Sequence, residues 1–344
     1  MSETEGRAGP ARIKDVAALA GVSLKTVTNV VHERPYVREE TRTRVRAAIE
    51  QLNYRPSLIG RRLRSGRSNM VTLAVPRIDE PYLGALAHAM IAAASKHGFA
   101  VLVDETAGRP ERETAAASGY PGHGIDGVIY SPLAMDSELM AAMSHDTPMV
   151  LLGEPLRDST ADYVAIDNEE SAREVVDHLA GQGRHQMAFL GGQPDLGPGV
   201  GELRAAAALK RLTELGLPGG RSQVINSGPF SREEGELRVK ESLPILTAFD
   251  ALICASDLLA IGAMAALRKE DVSVPDDLAV VGWDNIIDGQ YHTPSLTSVA
   301  PDLDALADTT MKALMSRIEG DRSPSGNYRV PHRLVLRESS SSYR

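Results

Sequence analysis

Nine short, almost continuously apolar runs, separated by segments of helical character, constrain this chain more than any other feature. They are VTLAVP (71 to 76), FAVLV (99 to 103), GVIYS (127 to 131), PMVLL (148 to 152), YVAI (163 to 166), MAFLG (187 to 191), QVIN (223 to 226), ALICAS (251 to 256) and LAVVGW (278 to 283). A strand that is apolar along its whole length is buried on both faces, the condition of a parallel strand with helices packed above and below it. The alternation therefore predicts a doubly wound α/β body over residues 69 to 344. About nine to eleven strands exceed what one compact sheet holds, so two lobes with a cleft between them are predicted. Ligands of such sheets bind beyond the carboxyl ends of the strands.

Two function classes fit that body: an enzyme with a nucleotide-binding sheet, or a two-lobed ligand-binding module. No G-x-G-x-x-G follows a strand, the GPGVG at 197 to 201 has the wrong spacing, and no G-x-x-x-x-G-K-[ST] loop occurs. The histidines are scattered without H-E-x-x-H spacing, and no G-x-S-x-G elbow is present. The binding module is the better reading, with no catalytic residue, cofactor or metal expected. The lone cysteine, Cys254, cannot form an intrachain disulfide or supply a zinc-finger ligand set, which fits a reducing compartment. The opening MSETEGRAGP lacks the pattern of a signal peptide, and no run approaches the roughly 20 apolar residues of a membrane span. A soluble, cytoplasmic protein is expected.

The net charge of −9 conceals an asymmetry. Residues 1 to 68 hold fourteen Lys and Arg against seven Asp and Glu, a net +7, which leaves −16 for the remainder. A small basic module on an acidic body is the electrostatic footprint of phosphate binding, with the body repelling nucleic acid that is not specifically held. Within that module Ile13, Val16, Ala17 and Ala20 form the stripe of an amphipathic helix that stops at Gly21. Ser23 is a suitable N-cap for a second helix, whose inward positions are Val27, Val30 and Val31 and whose other faces carry Leu24, Lys25, Thr28 and Asn29. Two short helices about a glycine turn make a helix-turn-helix. A third helix follows from Val45, Ala48, Ile49 and Leu52, with Glu39 and Glu40 opposing the dipole at its start.

The stretch from Ile13 to Ser68 resembles the N-terminus of the lactose/galactose repressor (LacI/GalR) family, with its D-V-A, G-V-S, T-V, V-x-x-x-T-R and Y-x-P landmarks in order. The resemblance implies that the second helix enters the major groove of a double-stranded, pseudo-palindromic operator. Ser23, Leu24, Lys25, Thr26, Thr28, Asn29, His32 and Tyr36 are the DNA-contacting residues it implies. Lys25 can donate to guanine O6 and N7, and Asn29 can pair bidentately with adenine. The alternative for Lys25 is a phosphate contact. Residues 56 to 68 match the family's hinge helix, in which Arg61 meets DNA and Leu63 enters the minor groove when two subunits pair. The implied organisation is a flexible arm at 1 to 11, the reading head at 12 to 55, and the hinge and linker at 56 to 68.

The resemblance continues to about Arg337 through V-A-I-D-N (164 to 168), C-A-S-D (254 to 257), G-A-M-A-A-L (262 to 267), V-P-D-D-L-A-V-V-G-W-D (274 to 284) and P-S-L-T-S-V (294 to 299). It implies a periplasmic-binding-protein-like body of two lobes joined by three crossovers. One lobe would comprise about 69 to 165 with 297 to 324, the other 166 to 296 with 325 to 337, and 338 to 344 would be a disordered tail. Tyr82, Arg204, Phe230, Ser256, Asp257, Trp283 and Asp284 are the implied effector contacts, and the family's usual effector is a sugar. The tail lacks the leucine heptads that tetramerise some relatives, so a homodimer is expected. The reading is an allosteric repressor resident on the nucleoid. The alternative is a cytoplasmic small-molecule-binding protein or enzyme without a regulatory DNA target.

Gly60 stands where the family's hinge usually has alanine. Glycine inside a helix costs about 1 kcal/mol relative to alanine, so two hinges ordering together would bear roughly 2 kcal/mol. Gly60→Ala should tighten operator binding about tenfold or more. Equal affinity of the two proteins at one salt concentration would show that residue 60 does not join a DNA-ordered helix.

Overall fold

A computed structural model describes residues 11–31, 33–54, 67–132, 141–143, 146–153, 161–194, 199–220 and 223–341. The chain divides into two compact units, Met1–Ser68 and Asn69–Arg344. Gly60, Arg61 and Leu63 of the expected hinge, together with His32, lie outside the described residues.

Among the described residues of the first unit the regular elements are helices: α1 (Ile13–Ala20), α2 (Leu24–Val31) and α3 (Glu39–Gln51). Gly21 ends α1 in the left-handed region at φ 64°, returning its N–H to Ala17 and Ala18. Ser23 caps α2 by accepting the Thr26 N–H at 3.2 Å. Val16, Val27, Val30, Val45 and Ala48 bury themselves in one shared core. Arg42 is 9% exposed and donates to the Arg34 carbonyl at 2.9 Å, tying α3 to the loop that follows α2.

The second unit has the two parallel sheets that the apolar runs predict. The first contains β1 (Met70–Val75), β2 (Ala100–Glu105), β3 (Gly127–Tyr130), β4 (Met149–Leu152), β5 (Asp162–Ile166) and β11 (Asn327–Val330), in the order β11-β5-β4-β3-β1-β2. The second contains β6 (Met187–Gly192), β7 (Val224–Asn226), β8 (Ala251–Cys254), β9 (Ala279–Trp283), β10 (Thr297–Pro301) and β12 (His332–Val335), in the order β12-β10-β9-β8-β6-β7. Among the described residues all strand pairings are parallel except that of β12 with β10. The helices are α4 (Pro81–Lys96), α5 (Pro110–Ala117), α6 (Asn168–Gly181), α7 (Val200–Glu214), α8 (Arg232–Leu246), α9 (Asp257–Lys269), α10 (Ile287–Tyr291) and α11 (Leu303–Ile318). Successive residues of β1 point to opposite faces: Val71, Leu73 and Val75 join one core with α4 and α11, while Ala74 joins another with α5. The short α5 ends as the SGYPGHG segment begins, with Gly119 at φ 75° and Gly122 at φ 82°.

Two boundaries differ from expectation. The resemblance assigns 297 to 324 to the first lobe, yet β10 pairs with β9 from Thr297 to Val299 and belongs to the second sheet. Conversely β11 pairs with β5, so residues 327 to 330 belong to the first sheet and not the second. A strand must complete its hydrogen-bond ladder before the chain can leave the sheet. The crossings therefore fall after Ile166, at Asp302 and at Pro331, where the Asp302 N–H donates to the Pro331 carbonyl at 3.0 Å. The tail is also corrected. Glu338–Ser340 forms a 3-10 turn in which Ser339 and Ser340 are 0% and 1% exposed. Their hydroxyls satisfy buried groups, Ser339 donating to the Val280 carbonyl at 2.6 Å, so the serine run is structural through residue 341.

Candidate functional site

In the first unit, Lys25 and Asn29 are separated by one helical turn and share a face of α2. Lys25 is exposed, and no acidic residue occupies the helix's first turn. Leu24 and Tyr36 are 50% and 70% exposed, large apolar surfaces left outside the core of a very small domain. The Tyr36 hydroxyl donates to Asn29 Oδ1 at 3.4 Å, orienting the amide. Ser23 and Thr26 bond to each other at 2.9 Å as part of the helix cap, and Thr28 is half-buried. The result is an unobstructed polar and cationic helix face, the form a major-groove reader takes.

In the second unit a cavity of about 250 Å³ lies between the sheets, lined by Tyr82, Ala85, Asp284, Ile286, Leu303 and Arg337 among others. Arg204 sits one turn into α7 and is 7% exposed. Gly201 admits this close approach, because a Cβ there would lie 2.3 Å from the Gly191 carbonyl oxygen. Phe230 packs on the same glycine. The Arg204 guanidinium donates from Nε to Asn168 Oδ1 at 2.8 Å and from Nη1 to the Ala255 carbonyl at 2.6 Å, and its carbon lies 5.1 Å from the centre of the Trp283 ring. Cation and aromatic face attract, and both are locked.

After Trp283 the chain makes a turn in which Asp284 (φ 99°) and Asn285 (φ 50°) both have positive φ. Each disfavours an L side chain, so the turn must be held by its neighbours. Asp257 holds it: its carboxylate accepts the Ile286 N–H at 2.8 Å and the Ser298 hydroxyl at 2.7 Å, and Ser298 Oγ in turn accepts the Asn285 N–H at 2.9 Å. Arg337 reaches Asn285 Oδ1 at 2.7 Å from the other side.

The electrostatics are those of a site short of cations. Burial pushes Asp284 up to about 6, against the pull of Arg204 and of the Asp257 backbone N–H. Glu80, the residue before α4, is pushed up to about 7 by burial, with Asp284 and Asp79 adding and Arg77 opposing. Burial also raises the Tyr82 phenol, keeping it a neutral hydroxyl. Burial and the charge of Asp284 hold Asp257 well above the usual carboxylate range.

Tyr82 and Asp284 line the cavity, and the buried Arg204 lies within electrostatic reach of both. Ser256, Asp257 and Trp283 were expected to touch the effector, and that is corrected. Ser256 is 3% exposed and caps α9 by accepting the Leu259 N–H at 3.3 Å; Asp257 is 1% exposed with its oxygens engaged; Trp283 is 0% exposed beneath Arg204, its Nε1 donating to Ser171 at 3.3 Å. These three support the cleft from behind. Glu80, Asn168, Asn285 and Arg337 were not foreseen. Asn168 closes the V-A-I-D-N motif and Asn285 follows the G-W-D motif, whereas Glu80 and Arg337 carry no local signal.

Residues 12–57 match the description "Bacterial regulatory proteins, lacI family", and residues 176–340 match "Periplasmic binding protein-like domain". A LacI-family transcriptional regulator from Sanguibacter keddieii DSM 10542 is 33% identical, over 80% of this chain and all of that one, with a TM-score of 0.73. The chain belongs to the LacI family. The ribose operon repressor of Halalkalibacterium halodurans is 29% identical over 95% of this chain and 96% of its own length. The lac repressor dimer bound to operator and the anti-inducer ONPF superposes at a TM-score of 0.86 with 26% identity, over 97% of this chain and all of that one. Helix-turn-helix head and two-sheet body are thus those of a LacI-family transcription regulator. Among the described residues no helix is long and apolar enough to cross a membrane.

Glu80 yields a test that needs no ligand. Its carboxyl ionises near 4.5 when unfolded and near 7 when folded, so the folded form binds the extra proton between those values and stability falls as pH rises through that window. Glu80→Gln should therefore gain stability over the parent progressively from pH 5 to pH 8, measured by urea unfolding followed through Trp283 emission. A difference that is constant with pH would contradict the assignment.

Proposed function

We propose that this chain is a transcriptional repressor acting as a homodimer on a pseudo-palindromic operator, controlled by a small neutral polyhydroxylated effector, most simply a sugar, held between the two sheets of its body. The observation that carries the reading is a cavity lined by Tyr82 and Asp284, with the buried, locked Arg204 near enough to act electrostatically on both. A fixed guanidinium donates while the carboxylate accepts, which suits vicinal hydroxyls, and Tyr82 supplies a flat apolar surface for a ring. An anionic effector would meet Glu80 and Asp284 and be repelled. The ribose operon repressor and the lac repressor among its relatives support a sugar. Occupancy would shift operator affinity by the effector's differential affinity for two arrangements of the body. Location in the cytoplasm, on the nucleoid, follows from that role.

The experiment is enrichment of genomic fragments by the full-length protein, then titration of the enriched site with ribose and a panel of unmodified mono- and disaccharides. A panel sugar should change the emission of Trp283, the chain's only tryptophan, and alter operator binding. Arg204→Ala should lose both responses and keep operator affinity within about threefold, since reading head and pocket are separate units. Lys25→Ala should relax preference at one base pair per half-site by about 1–3 kcal/mol. Failure to enrich any specific sequence would overturn the repressor reading in favour of a binding protein without a DNA target.

A further inference from the structure

The residues after β12 fasten themselves to the second sheet through side chains. Arg337 and Thr297 exchange bonds, the Arg337 N–H donating to Thr297 Oγ1 at 2.8 Å and that hydroxyl donating to the Arg337 carbonyl at 3.0 Å. Glu338 accepts both the N–H and the hydroxyl of Ser295, at 2.7 and 2.9 Å. Ser340 meets Thr297 Oγ1 at 2.7 Å and His178 Nε2 at 2.9 Å. A segment pinned this often has a fixed backbone, so the Arg337 side chain leaves from a fixed point. Its guanidinium then spans two acceptors that only a fork can hold together, Asn285 Oδ1 at 2.7 Å and the Leu296 carbonyl at 2.6 Å, while forming part of the cavity wall.

We infer that Arg337 is a positioning residue of the effector site, and that the C-terminal strap 337–341 is the third component of that site beside the two lobes. Asn285 is one of two adjacent residues with positive φ, and its side chain is the handle by which the strap holds the turn. Asp257 and Ser298 hold the same turn through its backbone N–H groups. Backbone and side chain are thus held from opposite sides, and Asp284 is aimed into the cavity as a consequence. The inference rests on the effector reading of the cleft, but its structural content does not require a ligand.

The test is amide hydrogen exchange in the full-length protein, comparing Arg337→Gln and Arg337→Lys with the parent. Asn285 and Ile286 should exchange about tenfold faster or more in Arg337→Gln, while Ala255, bonded to the Leu190 carbonyl of β6 in the same sheet, stays at the parental rate. Arg337→Lys, which reaches one acceptor at a time, should fall between. Equal acceleration at all three amides would mean general destabilisation, and no acceleration would mean the turn stands without the strap. Either result overturns the inference. A panel sugar that shifts Trp283 emission should bind Arg337→Gln at least tenfold more weakly than the parent, and equal sugar affinity overturns it too. If no panel sugar binds the parent, the effector reading fails while the exchange comparison still decides the role of Arg337.

Discussion

The carboxylate of Asp257 is the interaction on which the cleft depends. It is 1% exposed, and its two oxygens hold Ile286 and Ser298, hence the turn that follows β9. A buried carboxylate is tolerable only when its oxygens are hydrogen-bonded, and here the bonds are used to maintain a backbone that would otherwise relax. Gly282 belongs to the same arrangement. A Cβ there would fall 2.2 Å from Asp257 Oδ1, so the strand leading into the turn must be bare at the point where the carboxylate passes. The strained residues, the close-packed glycine and the buried acid are one device.

What the device presents is chemically unbalanced. Arg204 is bonded to Asn168 and Ala255 and stacked on Trp283, so it cannot swing to neutralise the acids around it. Asp284 and Glu80 are left with raised affinity for protons. Groups that are strained or poorly solvated without a ligand are what a binding site contains when it is shaped for a guest that supplies the missing donors.

Much of this was legible in the sequence. The helix-turn-helix could be read because its determinants are local: a glycine ending one helix, a serine capping the next, and a valine stripe at helical spacing. The body could be read because buried parallel strands leave unbroken apolar runs. The lobe boundaries were misplaced because Thr297 to Pro301 and Asn327 to Val330 resemble neighbouring segments in composition, and only pairing assigns them to a sheet. The serine tail misled because serine is usually solvated, whereas Ser339 and Ser340 find partners far away in sequence. The resemblance implies Trp283 and Asp284 alike as contacts, but the two residues have different surroundings. The strand ends at Trp283, whose indole packs against Arg204, and the positive-φ turn that follows places Asp284 on the cavity wall.

The central claim is that the cleft holds a conformation and a charge the fold itself would discard. The most direct measurement is the urea unfolding midpoint of Asp284→Gly at neutral pH, followed through Trp283 emission. Glycine accepts φ 99° without steric penalty and removes the poorly solvated carboxylate. The account predicts that this substitution stabilises the body, by about 1 kcal/mol or more after glycine's own entropic cost. A midpoint below that of the parent would contradict it, showing that Asp284 contributes to the fold and is not maintained against it.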